Sequence, residues 1–259
     1  MVEFTNGIVR KPSKSMVEGI TTGMFSSENP KYEDGLKQHG QYVKILEKLG
    51  LEVLVLEPLE EFPDSCFVED PAVVTDKFAI ITNSPKESRN GEKVEIEPTL
   101  KNYFDNKDIY YIEYPGTMEG GDVLQVDNHF YVGLSERTND EGAKQFNEFV
   151  SKYGFTSSTV PVTEGLHLKD FVIYLDDNNM LLSSEMNKAS EFKDFNRYVV
   201  EKDELYAINS LFINGTVMVP EGYPKTLNYI KSLGYPVEVV NTDEFKKIDG
   251  SLTCLSLRF

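Results

Sequence analysis

The run Val123-Leu124-Gln125-Val126-Asp127-Asn128-His129-Phe130-Tyr131-Val132 sets two short apolar stretches on either side of a turn-forming Asp-Asn pair, which is the pattern of a β-hairpin. Downstream, Phe146, Phe149, Val150 and Tyr153 fall on one helical face that stops at Gly154, and Thr156–Val162 reads as a fresh strand. The unit is therefore hairpin, helix, strand. It recurs along the chain. Ala72-Val73-Val74 pairs with Ala79-Ile80-Ile81, Phe171–Tyr174 with Met180–Leu182, and Leu211–Ile213 with Val217–Val219 across Asn214-Gly215. Tyr42, Ile45, Leu46 and Leu49 line a helix before Gly50 and the strand Leu51–Leu56, while Leu227, Ile230 and Leu233 precede Gly234 and the strand Tyr235–Val240. A repeat of roughly 40–50 residues suggests a radial or stacked array.

Glu69, Glu119, His167 and Cys254 each lie at or just before the first strand of such a unit, and Asn209 marks the same place in another. In a radial array these positions converge on one central channel. No Pro/Gly/Ser-rich linker interrupts the series, so residues 1–259 read as one α/β domain.

Composition narrows the function. The chain carries 26 Lys and Arg against 43 Asp and Glu, a formal charge of −17, which disfavours nucleic acid and anionic membranes as partners. There is no apolar run near the ~20 residues needed to span a bilayer. The N-terminal residues lack a basic stretch followed by an apolar one, and the two cysteines make no disulfide framework; a cytoplasmic location is expected. No tandem Cys or His spacing of a zinc site and no Gly-rich phosphate loop occurs, so neither metal nor cofactor is expected.

Cys254, in Asp249-Gly250-Ser251-Leu252-Thr253-Cys254, is the one strong nucleophile with a partner set. Of three histidines, His39 and His129 read as surface residues; His167, between Leu166 and Leu168, suits a buried acid/base. Asp64, Glu69 and Asp70 stand among Phe67, Val68, Ala72, Val73 and Val74. Carboxylates in such apolar company need a cation or hydrogen-bond donors. A substrate guanidinium matches them well, and a network with the chain's own Lys or Arg is the alternative. Glu119, before Gly120-Gly121, is suited to orient an imidazole. Arg89 and Arg137 are either carboxylate anchors or surface charges, and Cys66 reads as packing.

With these residues in hand, the sequence resembles the dimethylarginine dimethylaminohydrolases, in the guanidine-modifying superfamily that includes arginine deiminases and amidinotransferases. The resemblance covers Phe62–Val74, Glu119–Leu124, Gly133–Asn139, His167-Leu168-Lys169 and Lys247–Phe259. It implies a five-bladed pseudo-symmetric α/β propeller of pentein type. It also implies Cys254 as nucleophile, His167 as acid/base and Glu119 as its orienting partner. By the same resemblance Glu69 and Asp70 hold the guanidinium, Phe67 lies along the substrate, Asp64 takes the α-amino group and Arg89 and Arg137 take the carboxylate. The Ile248 backbone faces the substrate, and a loop within Gly19–Asn29 closes the site, with Ile20 where that loop usually carries a leucine. The expected reaction is hydrolysis of methylated arginine to citrulline and methylamine or dimethylamine. Arginine deiminase chemistry and a non-catalytic guanidino-binding protein are the alternatives. A homodimer is left open. A metal site from Asp64, Glu69, Asp70 and His167 lacks tight ligand spacing.

Overall fold

The computed structural model describes residues 3–259. They form five three-stranded sheets. In chain order the elements are β1 (Asn6–Arg10), α1 (Tyr32–Lys48) and β2 (Glu52–Leu56), then β3 (Ala72–Val74), β4 (Ala79–Ile81), α2 (Glu87–Asn90), α3 (Glu92–Leu100) and β5 (Ile109–Tyr111). Next come β6 (Val123–Val126), β7 (His129–Leu134), α4 (Asp140–Ser151) and β8 (Thr156–Pro161), followed by β9 (Val172–Asp176), β10 (Asn179–Leu182) and β11 (Asn196–Val199). The last are β12 (Leu211–Ile213), β13 (Thr216–Pro220), α5 (Pro224–Ser232), β14 (Val237–Val240), α6 (Asp243–Lys246) and β15 (Leu257–Arg258).

Each sheet repeats one topology, an antiparallel pair followed by a parallel outer strand. The third blade shows why the sequence folds this way. Asp127 takes φ 50 at the β6–β7 turn, aligning Val123 with Val132 and Val126 with His129. Asn139 then caps α4, its side chain accepting from Gly142 N at 2.8 Å. The helix turns Ala143, Phe146 and Val150 inward, where Phe146 meets Phe130 edge-on at 5.2 Å. Each such fully buried ring contributes about 1.5–3 kcal/mol by leaving water. At the β12–β13 turn Asn214 and Gly215 both have positive φ, as a two-residue hairpin turn requires.

Three features differ from the sequence reading. The blade holding β2 is closed by both ends of the chain: β1 is parallel to β2 and antiparallel to β15, with Gly7 opposite Arg258 and Ile8 opposite Leu257. The β9–β11 blade has no α-helix between its last two strands; short 3-10 turns at Met186–Lys188 and Ser190–Phe192 make the crossover. His39, expected at the surface, is buried, because α1 presents it inward with Gly35, Tyr42, Val43 and Leu46. Burial, with Lys11 nearby, holds its imidazole down at about 4, against a hydrogen bond to the Arg10 backbone. His129 is half-buried and bridges to β8 through Thr156 and Ser158 at 2.7 and 2.8 Å.

The first strand of each antiparallel pair (β3, β6, β9, β12, β15) ends its sheet, and neighbouring first strands touch: β9 meets β6 and β12, and β15 meets β3. These five strands therefore surround the axis of a five-bladed α/β propeller. The segments that immediately precede them carry the chemistry-bearing residues.

Candidate active site

Glu69, Glu119, His167, Asn209 and Cys254 occupy the equivalent place in the five blades, each a few residues ahead of its axial strand. All are buried. Adjacent side chains on these segments face opposite ends of the axis. Asp70 and Cys254 line a small front cavity together with His167, Asp64, Phe67 and Arg89. Their neighbours Glu69 and Thr253, with Lys169, line a different cavity at the rear.

At the front, His167 Nε2 lies 2.7 Å from Glu119 Oε2 and 3.9 Å from Asp70 Oδ1. Glu119 is fully buried. It accepts from Arg137 Nη1 at 2.9 and 3.1 Å and from the Ser84 hydroxyl. Asp70 accepts from Arg89 Nη1 at 2.5 Å and from Gly121 N at 3.0 Å, and Arg89 also grips Glu92 at 2.8 and 3.0 Å. The backbone of His167 is fixed by Asp170, whose carboxylate accepts from His167 N at 3.1 Å. Gly121 is required here, since a Cβ would stand 2.5 Å from His167 Nδ1. Gly250 likewise lets the Phe67 ring lie against the backbone next to Asp249.

The loop after β1 covers this cavity. Ile20 N donates to Asp64 Oδ1 at 3.0 Å, and Thr22 donates to Asp249 Oδ2 through its backbone N–H and, at 2.7 Å, its hydroxyl. Among the described residues Asp249 Oδ1 and Arg137 Nε are buried without partners, one acceptor and one donor at the same cavity.

Electrostatics follow from burial and these partners. Burial opposes a charge on His167, yet Asp70, Glu119 and Asp122 outweigh it and push the imidazole up to about 10. Burial works against the Glu119 carboxylate too, but the His167 hydrogen bond and then Arg89 and Arg137 hold it well below the usual range. Burial, reinforced by Glu69, Asp70 and Asp170, raises the Cys254 thiol well above its ordinary value. Without a further cation the site thus pairs a neutral thiol with an imidazolium.

The front cavity brings together Cys254, His167, Asp64, Phe67, Asp70 and Arg89, and also Arg137, Ile20 and Ile248. Glu119 acts from behind His167. Glu69 is not brought there: Lys169 Nζ at 2.6 Å, Arg258 Nη2 at 3.0 Å and Thr253 Oγ1 at 2.8 Å hold its carboxylate at the rear. The chain's own cations thus satisfy Glu69, Asp70 and Glu119. Arg89 and Arg137 are buried and not surface charges. Asp70, Glu119 and His167 could meet one ion, their ligand atoms lying within 4.8 Å of one another; Asp64 and Glu69 stand outside that group. The two arginines already balance its carboxylates, which fits a hydrogen-bonded cluster better than a metal centre.

Several functional positions escaped the sequence reading. Asp249, Asp170 and Glu92 look like ordinary polar residues, and only the fold shows them buried around the cavity, with the half-buried Ser84 hydroxyl on Glu119. Lys169 did offer a signal, being a charged residue in the same short turn as His167. Asn209 contributes no chemistry of its own. Its Oδ1 accepts from Thr253 N at 3.0 Å and its carbonyl from Ser251 Oγ at 3.3 Å, fixing the segment that carries Cys254.

Five such blades around a buried thiol, imidazole and carboxylates define an α/β propeller of the guanidine-modifying type. The family profile described as N,N dimethylarginine dimethylhydrolase, eukaryotic, matches residues 20–188. The N(G),N(G)-dimethylarginine dimethylaminohydrolase of Pseudomonas aeruginosa is 43% identical over 256 residues, spanning 99% of this chain and 100% of the relative. That of Streptomyces coelicolor is 33% identical, spanning 97% and 95%. A crystal structure of a mutant of the Pseudomonas aeruginosa enzyme complexed with citrulline superposes with a TM-score of 0.96 at 42% identity, covering 99% and 100% of the two chains. The N-terminal domain of a cyanobacterial arginine dihydrolase, at 16% identity, TM-score 0.86 and coverage of 99% and 97%, shares the fold. The chain belongs to the dimethylarginine dimethylaminohydrolase family.

Proposed function

We propose that this protein, acting as a single catalytic domain, hydrolyses methylated arginine to citrulline and methylamine or dimethylamine. One observation carries the reading: a buried thiol, an imidazole locked to a carboxylate, and unpaired donor and acceptor atoms share one small cavity. Asp70 is the carboxylate assigned to the guanidinium, Asp64 to the α-amino group, and Arg89 and Arg137 to the substrate carboxylate. Phe67 packs along the substrate stem, Ile20 and the Ile248 backbone close over it, and Glu69 acts from the rear.

The resting thiol is neutral, and the incoming guanidinium supplies the positive charge that favours the thiolate; the thiol proton leaves to water. The sulfur then attacks the guanidinium carbon, forming a C–S bond as the C=N electron pair moves to nitrogen. His167, already protonated, gives its proton to the departing amine as the C–N bond breaks. An S-alkyl thiouronium remains. The neutral imidazole takes a proton from water and the hydroxide oxygen adds to the same carbon; the C–S bond then breaks, returning the thiolate, while the adduct's hydroxyl proton leaves to solvent and the neutral ureido product is released. Glu119 keeps the ring oriented throughout and stabilises its charged form.

Ureido-product formation by the purified protein tests the proposal, with asymmetric dimethylarginine, monomethylarginine, free arginine and agmatine side by side. Preference for the methylated substrates supports it. Preference for arginine or agmatine reassigns the same machinery to another guanidine, and no turnover of any of them overturns the hydrolase reading.

A further inference from the structure

Behind the catalytic residues the axial channel opens into a second, larger cavity. All five axial strands contribute to its wall. Val73, Leu124, Ile173 and Phe212 give it apolar sides, and the floor is polar, formed by Glu69, Lys169, Thr253 and Arg258. It shares no lining residue with the front cavity.

The floor is unbalanced in charge. Lys169 Nζ and Arg258 Nη2 converge on the same oxygen, Glu69 Oε1, at 2.6 and 3.0 Å. Arg258 Nη1 is occupied by the carbonyls of Thr253 and Ser256 at 2.9 and 2.6 Å. The ammonium of Lys169 has three donor positions, and Glu69 is its one partner among the described residues. Lys169 is only 7% exposed. Two cations therefore share one carboxylate at the foot of an apolar-walled chamber, where an unmatched charge is unfavourable and a second anion is welcome. The mouth is different. Asp127 and Asp176 sit there at the hairpin turns, and they disfavour any ligand carrying several negative charges.

We infer that the rear cavity is a ligand site for a small monocarboxylate with an aryl or alkyl body, its carboxylate on Lys169 and its body against the axial strands. The inference is independent of which guanidine the front site turns over.

Calorimetric titration with 3-phenylpropionate tests it, using wild-type protein, protein carbamidomethylated at Cys254, and the variants Lys169→Met and Val74→Trp. Val74 lines the cavity wall without touching the floor pairs, so Val74→Trp fills the space and leaves the charges intact. Should Lys169→Met fail to fold, Val74→Trp still decides the matter. The expected result is one-to-one binding that survives alkylation and weakens at least tenfold in either variant, with 2-phenylethylamine not binding. Four results overturn the inference: no binding to wild type, equal binding of the amine, loss of binding on alkylation (which places the carboxylate at the front arginines), or affinity unchanged in both variants.

Discussion

The two ends of the axial channel are built from the same five peptide segments, yet they differ in electrical character. At the front, Asp64, Asp70 and Asp249 line the cavity with Arg89 and Arg137, and Glu119 and Glu92 stand behind them. Carboxylates outnumber cations there, even counting a charged His167. At the rear a single carboxylate, Glu69, is shared by Lys169 and Arg258. Adjacent residues are enough to produce both ends: Asp70 faces forward and Glu69 back, Cys254 forward and Thr253 back. A cationic ligand suits the front and an anionic one the rear. The peptide between them is common to both.

Breaking the front is expected to have the largest effect. Cys254→Ser removes the nucleophile, and turnover in the ureido assay should fall to background; robust activity would end the covalent scheme. His167→Gln keeps a polar side chain but no acid/base, and kcat should drop by about 10²–10⁴-fold, measured at saturating substrate. The pH profile sharpens the role of that charge. With the imidazole pushed up to about 10, kcat should decline only as the pH passes that value, and Glu119→Gln should move the decline to lower pH. Stability follows the same sign. The folded value lies above the ordinary 6.5, so the charged ring's contribution is fully present below pH 6.5 and is lost as pH rises through about 10. Thermal melts of wild type should show this loss across that window, and His167→Gln should lack it.

Probing the rear should give a smaller change that is read at the front. Lys169→Met leaves Glu69 less compensated, and Glu69 is the charge acting most strongly on the Cys254 thiol after burial itself. Alkylation of Cys254 by iodoacetamide at fixed pH should slow by about three- to tenfold; an unchanged rate would show the two ends to be electrically separate. The mildest test concerns the covering loop. Thr22→Val deletes one hydroxyl bond to Asp249 while its backbone bond remains, and KM should rise about two- to tenfold, the measure of one ordinary hydrogen bond.

Much of this was legible in the sequence, because hairpin and helix periodicity are local. The repeat and the converging positions follow from spacing, and the roles of the reactive residues from residue chemistry and the family resemblance. What escaped reading depended on distant partners. Pairing of β1 with β15 has no local signal, since its partners stand at opposite ends of the chain. The polar strand β11 lacks an apolar pattern, because it lies at a solvent-facing sheet edge. His39 looked polar and is buried, since its helical face and not its chemistry decides its place. Adjacent Glu69 and Asp70 looked like a pair with one task; only the ring shows them looking in opposite directions. Asp249 stood in plain view beside Gly250, but its unpartnered oxygen is a property of the cavity and not of the sequence.

The closure of the first blade bears on the order of biosynthesis. A ribosome delivers β1 early, but its partner β15 emerges only after every other blade, and Cys254 stands a few residues ahead of that strand. A nascent or prematurely terminated chain can therefore hold the histidine, the carboxylates and the covering loop, yet it lacks the Cys254 thiol. The nucleophile arrives with the strand that seals the ring.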